Sequence, residues 1–266
     1  MVDPFSVEPA SAYDREFAFS RIAMAQRRMV WRYLDPLLHT PGQQVLDLNS
    51  GTGIDAAYMA RRGHHVVATD ISEEMLKMAR GTARQHGVEH LVSHELIAFS
   101  QLRQRGWRNE FQLVLSDMGG LNYVAPEDLH ALAGPIAEAL VRHGRFVAVV
   151  MPDRCIGETL HFLRRGRWHD AFRRGRHDPI WNSLSGSGAQ LWYHHPRRFM
   201  AAFTERFRLV NIRPIGFFVP PAFVESNDPP GQRMLNHLMH WDEKIGSWAW
   251  TARYADHFLI DLERRD

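Results

Sequence analysis

Residues 45–53, VLDLNSGTG, constrain the fold more than any other stretch of the chain. An apolar run reaches the carboxylate of Asp47, and Gly51 and Gly53 follow where a helical pattern begins. Glycine lets the backbone approach a ligand closely, and the start of a helix presents N–H groups without helical partners. We interpret the stretch as a strand, a ligand-binding loop and the start of a helix.

The chain after this loop alternates between short apolar strands and amphipathic helices. Strands are predicted at residues 44–48, 65–69, 91–96, 111–116 and 145–151, and helices at residues 53–62, 72–85 and 127–141. This alternation predicts an α/β fold in which a doubly wound, mostly parallel sheet binds ligands at the carboxyl ends of its strands.

The regions that flank this core differ from it in pattern. Residues 1–40, helix-like over 14–38, are interpreted as an N-terminal helical lid, and residues 41–152 as the Rossmann-like cofactor-binding core. Residues 153–195 are rich in Arg, Trp, His and Gly and contain a turn-like SGSG at 185–188, which indicates an inserted substrate or lid lobe of helices and a hairpin. Residues 196–266 return to helix and strand and complete the sheet.

Composition restricts the partners and the location. Lys and Arg number 32 and Asp and Glu 30, so the formal net charge of +2 is too balanced to favour nucleic acid. The apolar stretches are too short to span a bilayer, and a single cysteine, Cys155, suits a reducing compartment. We expect a small-molecule substrate, no nucleic acid, no membrane and a cytoplasmic protein. No metal site is expected, since the histidines form no clear cluster beyond His237 and His240. The sequence leaves the oligomeric state open.

The glycine pattern alone fits two kinds of cofactor. Gly51, Gly53 and Ala56 match the dinucleotide pattern G-x-G-x-x-A, with Asp70 downstream to accept ribose hydroxyls. Asp47 separates the two, because a carboxylate repels a pyrophosphate but attracts the ammonium group of a methionine moiety. Charge therefore favours S-adenosylmethionine over a dinucleotide.

Three motifs, at residues 46–56, 68–72 and 116–122, resemble those of class I S-adenosylmethionine-dependent methyltransferases of the bacterial small-molecule type. The similarity covers residues 13–151. It implies a seven-stranded sheet with an antiparallel last strand, S-adenosylmethionine as cofactor and a small-molecule methyl acceptor. The residues that it places at the cofactor are Tyr13, Asp47, Asn49, Ser50, Gly51, Gly53, Asp55, Asp70, Ile71, Glu95 and Ser116.

Two of these residues depart from the family pattern. Asn49 stands where most members have glycine, and asparagine tolerates left-handed backbone angles better than other residues with a side chain. Glu95 is the acidic residue that the third strand offers for the adenine, where many members place an aspartate.

Methyl transfer from a sulfonium is an in-line displacement, so the protein mainly aligns the acceptor and excludes water. A histidine or carboxylate near the acceptor assists when a proton must leave. The candidates are Asp117 and Asn122 after the fourth strand and His194 and His195 in the lobe. Adjacent residues of a strand face opposite sides, so only one of these histidines can face a given side.

Other functions remain open from the sequence. Asn49 and the uncertain adenine contact allow a tetrahydrofolate carrier, as in a demethylase or dehalogenase, and residues 154–177 hold seven arginines that could bind a glutamate tail. An NAD(P)-dependent oxidoreductase and a non-enzymatic binding module are further alternatives.

Overall fold

A seven-stranded sheet forms the centre of the protein. The computed structural model describes residues 20–176, 179–182, 189–224 and 230–266. The strands of the sheet are β1 Gln44–Leu48, β2 His65–Asp70, β3 Val92–Leu96, β4 Phe111–Ser116, β5 Leu140–Val150, β8 Phe207–Ile215 and β9 His257–Arg264. They lie in the order β3-β2-β1-β4-β5-β9-β8. Only β9 runs against its neighbours, β5 and β8, which confirms the predicted mostly parallel sheet with an antiparallel last strand.

Helices cover both faces of the sheet. One face carries α1 Arg21–Leu34, α2 Ile54–Ala60, α3 Glu73–Gln85 and α9 Gln232–Lys244, and the other carries α4 Leu102–Arg105, α5 Leu129–Ala139 and α8 Pro196–Ala201. Alternate residues of β1 enter the two cores, with Val45 in the first and Leu46 and Leu48 in the second. Burial on both faces explains why the consecutive residues Val45 and Leu46 are both apolar.

The largest difference from the predicted boundaries lies between α5 and β5. The helix predicted at residues 127–141 ends at Ala139, and β5 begins at Leu140 without a loop, five residues before the predicted strand. Leu140 pairs with Phe111, and the register then shifts so that Arg145 pairs with Leu113. This irregularity obscures the strand pattern in the sequence. After the lobe, a short helix extends over Pro196–Ala201, and Phe207 already pairs with Arg264 in the sheet.

The region between β5 and α8 is a small lobe. It contains α6 Ile156–Arg164, α7 Trp168–Ala171 and the antiparallel pair β6 Ile180–Asn182 and β7 Ala189–Leu191. The helices and the strand pair agree with the predicted content of this region, whereas the SGSG turn lies outside the described residues. No helix within the described ranges is both long enough and apolar enough to cross a membrane.

Candidate active site

The loops after β1, β2 and β4 meet at the carboxyl edge of the sheet. Asp47 lies near the end of β1, Asp70 ends β2, and Asp117 follows β4. The backbone N–H of Gly51 donates to Asp70 Oδ2 at 2.9 Å, and Asn49 Nδ2 donates to the carbonyl of Asp117 at 2.9 Å. The structure therefore brings together the three motifs that the sequence singled out.

Asn49 joins the first of these loops to the third. Its backbone is left-handed, with φ of 51°, and its Oδ1 accepts a 2.6 Å hydrogen bond from Ser116 Oγ. A Cβ placed on Gly120 would overlap the Asn49 side chain. The asparagine thus replaces the more usual glycine without changing the hand of the turn, and its side chain uses the space above Gly120.

The two glycines of the loop serve different purposes. Gly51 has φ of 53°, and a Cβ placed on it would meet nothing within 4 Å, so the loop is open on that side. Gly53 has φ of 76°, and a Cβ there would lie 2.7 Å from Cβ of Ala79 in α3. Gly51 leaves room for a ligand, whereas Gly53 allows two helices to pack closely.

The Asp70 carboxylate organises the loop around it. Besides the Gly51 contact, its Oδ1 accepts from the backbone N–H of Ser72 at 2.9 Å, and Ser72 Oγ caps α3. Ile71, between these two residues, is half-buried. Ser50 donates its backbone N–H to the carbonyl of Thr69 at 2.8 Å, and its buried Oγ has no hydrogen-bond partner among the described residues.

Three buried carboxylates, Asp47, Asp55 and Asp117, form what we call the carboxylate cluster. Arg27 of α1 pairs with Asp55 and lies 3.7 Å from Asp117 Oδ2, and Trp31, one helical turn further, donates to Asp55 Oδ1 at 2.6 Å. Sequence reasoning missed Arg27 and Trp31. The available signal was a pair of polar residues, Gln26 and Arg27, on the mostly apolar, buried side of α1.

The three carboxyl groups of the cluster outnumber the single guanidinium of Arg27 beside them. Burial and the neighbouring Asp55 raise the pKa of Asp117 to about 8, and burial together with Asp55 and Asp117 raises the pKa of Asp47 well above its usual range. Oδ2 of Asp47 and Oδ2 of Asp117 are buried without a hydrogen-bond partner in the described part of the chain. A cation placed here would stabilise the ionised carboxylates.

Asn122, a predicted catalytic residue, is held on all sides. Its Nδ2 donates to the carbonyls of Met151 at 3.0 Å and Trp192 at 2.7 Å, and its Oδ1 accepts from the backbone N–H of Met151 at 2.9 Å. The amide therefore connects the β4 loop to the end of β5 and to the lobe, and its polar atoms are already engaged within the protein.

The two predicted catalytic histidines do not reach the carboxylate cluster. His194 is buried with its ring edge against Phe199, and Nε2 lies 3.2 Å from the carbonyl of Leu121. Burial lowers the pKa of His194 to about 4. His195 precedes α8, where its Nδ1 accepts from the backbone N–H of Arg197 at 3.1 Å. Both histidines thus make local contacts, and their catalytic role stays a prediction.

Two further predicted cofactor residues are Glu95 and Tyr13. Glu95, inside β3, accepts from Arg105 through both oxygens, at 2.6 and 2.9 Å. Its contact with adenine stays a prediction. Tyr13 lies outside the described residues. Within the described ranges, no three His, Cys, Asp or Glu side chains are placed to hold a metal ion.

Comparison with known proteins places this site in a family. Residues 45–144 match the family described as a methyltransferase domain. Demethylmenaquinone methyltransferase of Clavibacter sepedonicus is 40% identical over 75 residues, which are 27% of this chain and 29% of that protein. A tRNA 5-carboxymethoxyuridine methyltransferase of Escherichia coli is 33% identical over 82 residues, 30% of this chain and 31% of that protein.

The fold comparison extends over nearly the whole chain. A solved S-adenosylmethionine-dependent methyltransferase from Mesorhizobium loti superposes with a TM-score of 0.61 at 18% identity, covering 91% of this chain and 100% of that one. The two curated relatives named above, in contrast, are matched over less than a third of their length. The matched domain, the strand order and the three motifs agree: residues 45–144 match a methyltransferase domain, and the chain has the fold of the class I S-adenosylmethionine-dependent methyltransferases.

Proposed function

We propose that the chain transfers a methyl group from S-adenosylmethionine to a small-molecule acceptor. The observation that carries this proposal is the carboxylate cluster, which has more buried carboxyl groups than the guanidinium of Arg27 can neutralise and lies near Gly51, where the loop is open. S-adenosylmethionine is a cation at its sulfonium and at its ammonium group, so its methionine end suits such a cluster.

The residues present fit each part of the cofactor. Asp47 and Asp117 each offer the cationic groups a buried oxygen that has no hydrogen-bond partner among the described residues, and Arg27 supplies a guanidinium for the methionine carboxylate. Asp70, at the end of β2, is placed for the ribose hydroxyls. The other proposed cofactor residues are Tyr13, Asn49, Ser50, Gly53, Asp55, Ile71, Glu95 and Ser116, of which Asn49, Ser116 and Gly53 act by shaping the loops.

The chain contributes alignment, electrostatics and exclusion of water to this reaction. The bound cofactor supplies an electrophilic methyl group. The carboxylate cluster fixes the end of the cofactor next to that group, and Asn122 holds the β4 loop against the lobe. Alignment of this kind supplies much of the rate in an in-line displacement. We further propose that residues 1–40 and 153–195 act as lids over the core formed by residues 41–152.

The two alternative carriers fit the cluster less well. A folate carries carboxylates in its glutamate tail and a dinucleotide carries a pyrophosphate, and both would meet carboxylates of the same sign. The arginines of the lobe are also partly occupied, since Arg173 and Arg174 pair with Glu158, and Arg167 pairs with Asp170. Neither alternative is favoured.

The proposed acceptor is a small molecule rather than nucleic acid. The formal net charge of +2 supports this choice, because binding to phosphate backbones relies on excess positive charge. The demethylmenaquinone enzyme matched above is named for a small molecule, although the tRNA enzyme is not. We also propose a cytoplasmic location, in line with the free, buried Cys155.

The test is titration calorimetry with S-adenosylhomocysteine, tetrahydrofolate and NAD. We expect binding of S-adenosylhomocysteine alone. Asp47→Asn keeps the shape of the side chain. It should raise the Kd for S-adenosylhomocysteine roughly tenfold or more, because a charge-assisted contact is lost. The control Glu74→Gln, on the exposed face of α3, should leave the Kd unchanged. Folded wild-type protein that binds no S-adenosylhomocysteine would contradict the proposal.

A further inference from the structure

A buried histidine outside the predicted site stands at the same edge of the sheet. His257 is the first residue of β9, and because β9 is antiparallel to β5, this residue lies where β4 and β5 end. A Cβ placed on Gly119, in the loop after β4, would lie 3.8 Å from His257 Nε2. Only 7% of His257 is exposed. Its ring therefore faces the β4 loop from within the protein.

The other nitrogen of this ring faces a carboxylate. His257 Nδ1 lies 3.3 Å from Asp256 Oδ2 and is buried without another hydrogen-bond partner in the described chain. A carboxylate beside Nδ1 favours the tautomer with its hydrogen on Nδ1, which leaves the Nε2 lone pair available.

Asp256 is itself held firmly in its ionised form. Its Oδ1 accepts from Arg174 Nη2 at 2.6 Å, and its Oδ2 accepts from Gln26 Nε2 at 3.0 Å. Burial opposes its ionisation, but His257 and Arg174 outweigh burial and hold the pKa of Asp256 well below its usual range. The Asp256–His257 pair therefore has a fixed, charged carboxylate behind the imidazole.

This pair is adjacent to the carboxylate cluster. Gln26 and Arg27 are consecutive residues of α1, and the first contacts Asp256 while the second contacts the cluster through Asp55 and Asp117. One turn of α1 thus covers both groups. The imidazole therefore lies against the β4 loop, whose Asp117 belongs to the carboxylate cluster.

We propose that His257 accepts the proton lost by a hydroxyl acceptor, with Asp256 as its positioning residue. The inference rests on the proposed methyltransferase function and adds the acceptor class, because a hydroxyl oxygen attacks poorly until a base takes its proton. The acceptor oxygen bonds to the methyl carbon, the carbon–sulfur electron pair stays on sulfur, and the hydroxyl proton moves to Nε2. The positive charge of the sulfonium thereby reappears on the imidazole.

Nitrogen-15 NMR of the histidine rings in the full chain tests this placement directly, with His257→Gln identifying the resonances. We expect the hydrogen on Nδ1, a bare Nε2, and a shift of the Nε2 resonance when S-adenosylhomocysteine is added. His64, which is fully buried elsewhere, serves as the unaffected reference. A hydrogen on Nε2, or an Nε2 resonance that ignores bound S-adenosylhomocysteine, would overturn the inference. Absence of any binding in calorimetry would instead count against the proposed function.

Turnover provides a second readout, with catechol as the hydroxyl probe. His257→Gln should lower kcat on the order of 100-fold while the KM for S-adenosylmethionine stays within about threefold. Asp256→Asn should give a smaller loss in kcat, and Glu74→Gln, on the exposed face of α3, should behave like wild type. An unchanged kcat in His257→Gln would overturn the inference. The nitrogen-15 spectra report the tautomer of His257 without any turnover, so they test the inference whichever hydroxyl compound the enzyme accepts.

Discussion

Two buried charge clusters lie near the same edge of the sheet and differ in composition. The carboxylate cluster sets three acids against Arg27. The second, which we call the lobe cluster, sets Glu158 and Asp256 against Arg173 and Arg174, with Arg174 donating to Glu158 Oε2 at 2.9 Å and to Asp256 Oδ1 at 2.6 Å. Acids and guanidiniums are equal in number in the lobe cluster and unequal in the other.

Burial favours the protonated form of the acids in both clusters, yet the pKa of Glu158 falls while the pKa of Asp117 rises. In the lobe cluster burial opposes ionisation, but Arg174 and Arg173 outweigh it, and the pKa of Glu158 falls below its usual value. In the carboxylate cluster burial and the like charge of Asp55 act together, and the pKa of Asp117 rises. The acids of the lobe cluster are neutralised by arginines of the protein itself, whereas the ionised acids of the carboxylate cluster would be stabilised by a bound cation.

The largest expected effect comes from removing the shared cation of the lobe cluster. Arg174→Met leaves Glu158 and Asp256 with uncompensated buried charge and should destabilise the fold by about 3–5 kcal/mol. A Tm lower by roughly 10 °C would report this change. The control Arg165→Met, exposed on the same lobe, should change the Tm little. An Arg174→Met protein as stable as the control would show that the lobe cluster contributes nothing to stability.

In the carboxylate cluster, in contrast, removal of a titratable group is expected to stabilise the fold. The pKa of Asp117 is about 8 in the folded chain and near its ordinary value when unfolded, so folding becomes less favourable as pH rises between these values. Asp117→Asn removes this cost and should stabilise the protein at pH 9 by about 2 kcal/mol, with a smaller gain at pH 5. Urea unfolding at both pH values measures the difference. Equal effects at the two pH values would contradict the raised pKa.

Ligand binding should release protons from the same cluster. At pH 7 Asp117 holds its proton, and a bound cation lowers its pKa, so up to about one proton should leave per ligand. Calorimetry in buffers of different ionisation enthalpy counts these protons. S-adenosylmethionine, with its additional sulfonium, should release more than S-adenosylhomocysteine. Proton uptake on binding would rule out this electrostatic account.

The smallest effect is expected for an exposed pair. Glu95 and Arg105 share their contact near solvent, so Glu95→Gln should change the free energy of unfolding by about 0.5 kcal/mol or less. The same variant decides the sequence-based assignment of Glu95 to the adenine. If the variant binds S-adenosylhomocysteine with a Kd within about threefold of wild type, Glu95 does not bind the adenine and only pairs with Arg105.

The sequence predicted the fold well because its signals are local. The loop around Asp47, Gly51 and Gly53 can be recognised from neighbouring residues alone. Asp70 and Asp117 come close to this loop because parallel strands end at the same edge of the sheet. The start of β5 was missed because the register shift between Leu140 and Arg145 has no local signature.

The side chains that complete the site depend on contacts between distant segments. Arg27 and Asp55 are 28 residues apart, and Gln26 and Asp256 are 230 apart, so no spacing rule connects them. His194 and His195 drew attention because they are adjacent in a polar segment. His257 was overlooked because it opens an apolar strand, and only the antiparallel direction of β9 brings it to the correct edge.

The contact between Asn49 and Gly120 sets the order in which this loop can change during evolution. While asparagine occupies position 49, any side chain at position 120 collides with it. A change of Asn49 to glycine would remove that obstacle, after which larger residues could enter at position 120. A lineage that acquired such a residue would then be barred from returning to asparagine. The two positions, 71 residues apart in sequence, should therefore covary among the relatives of this chain.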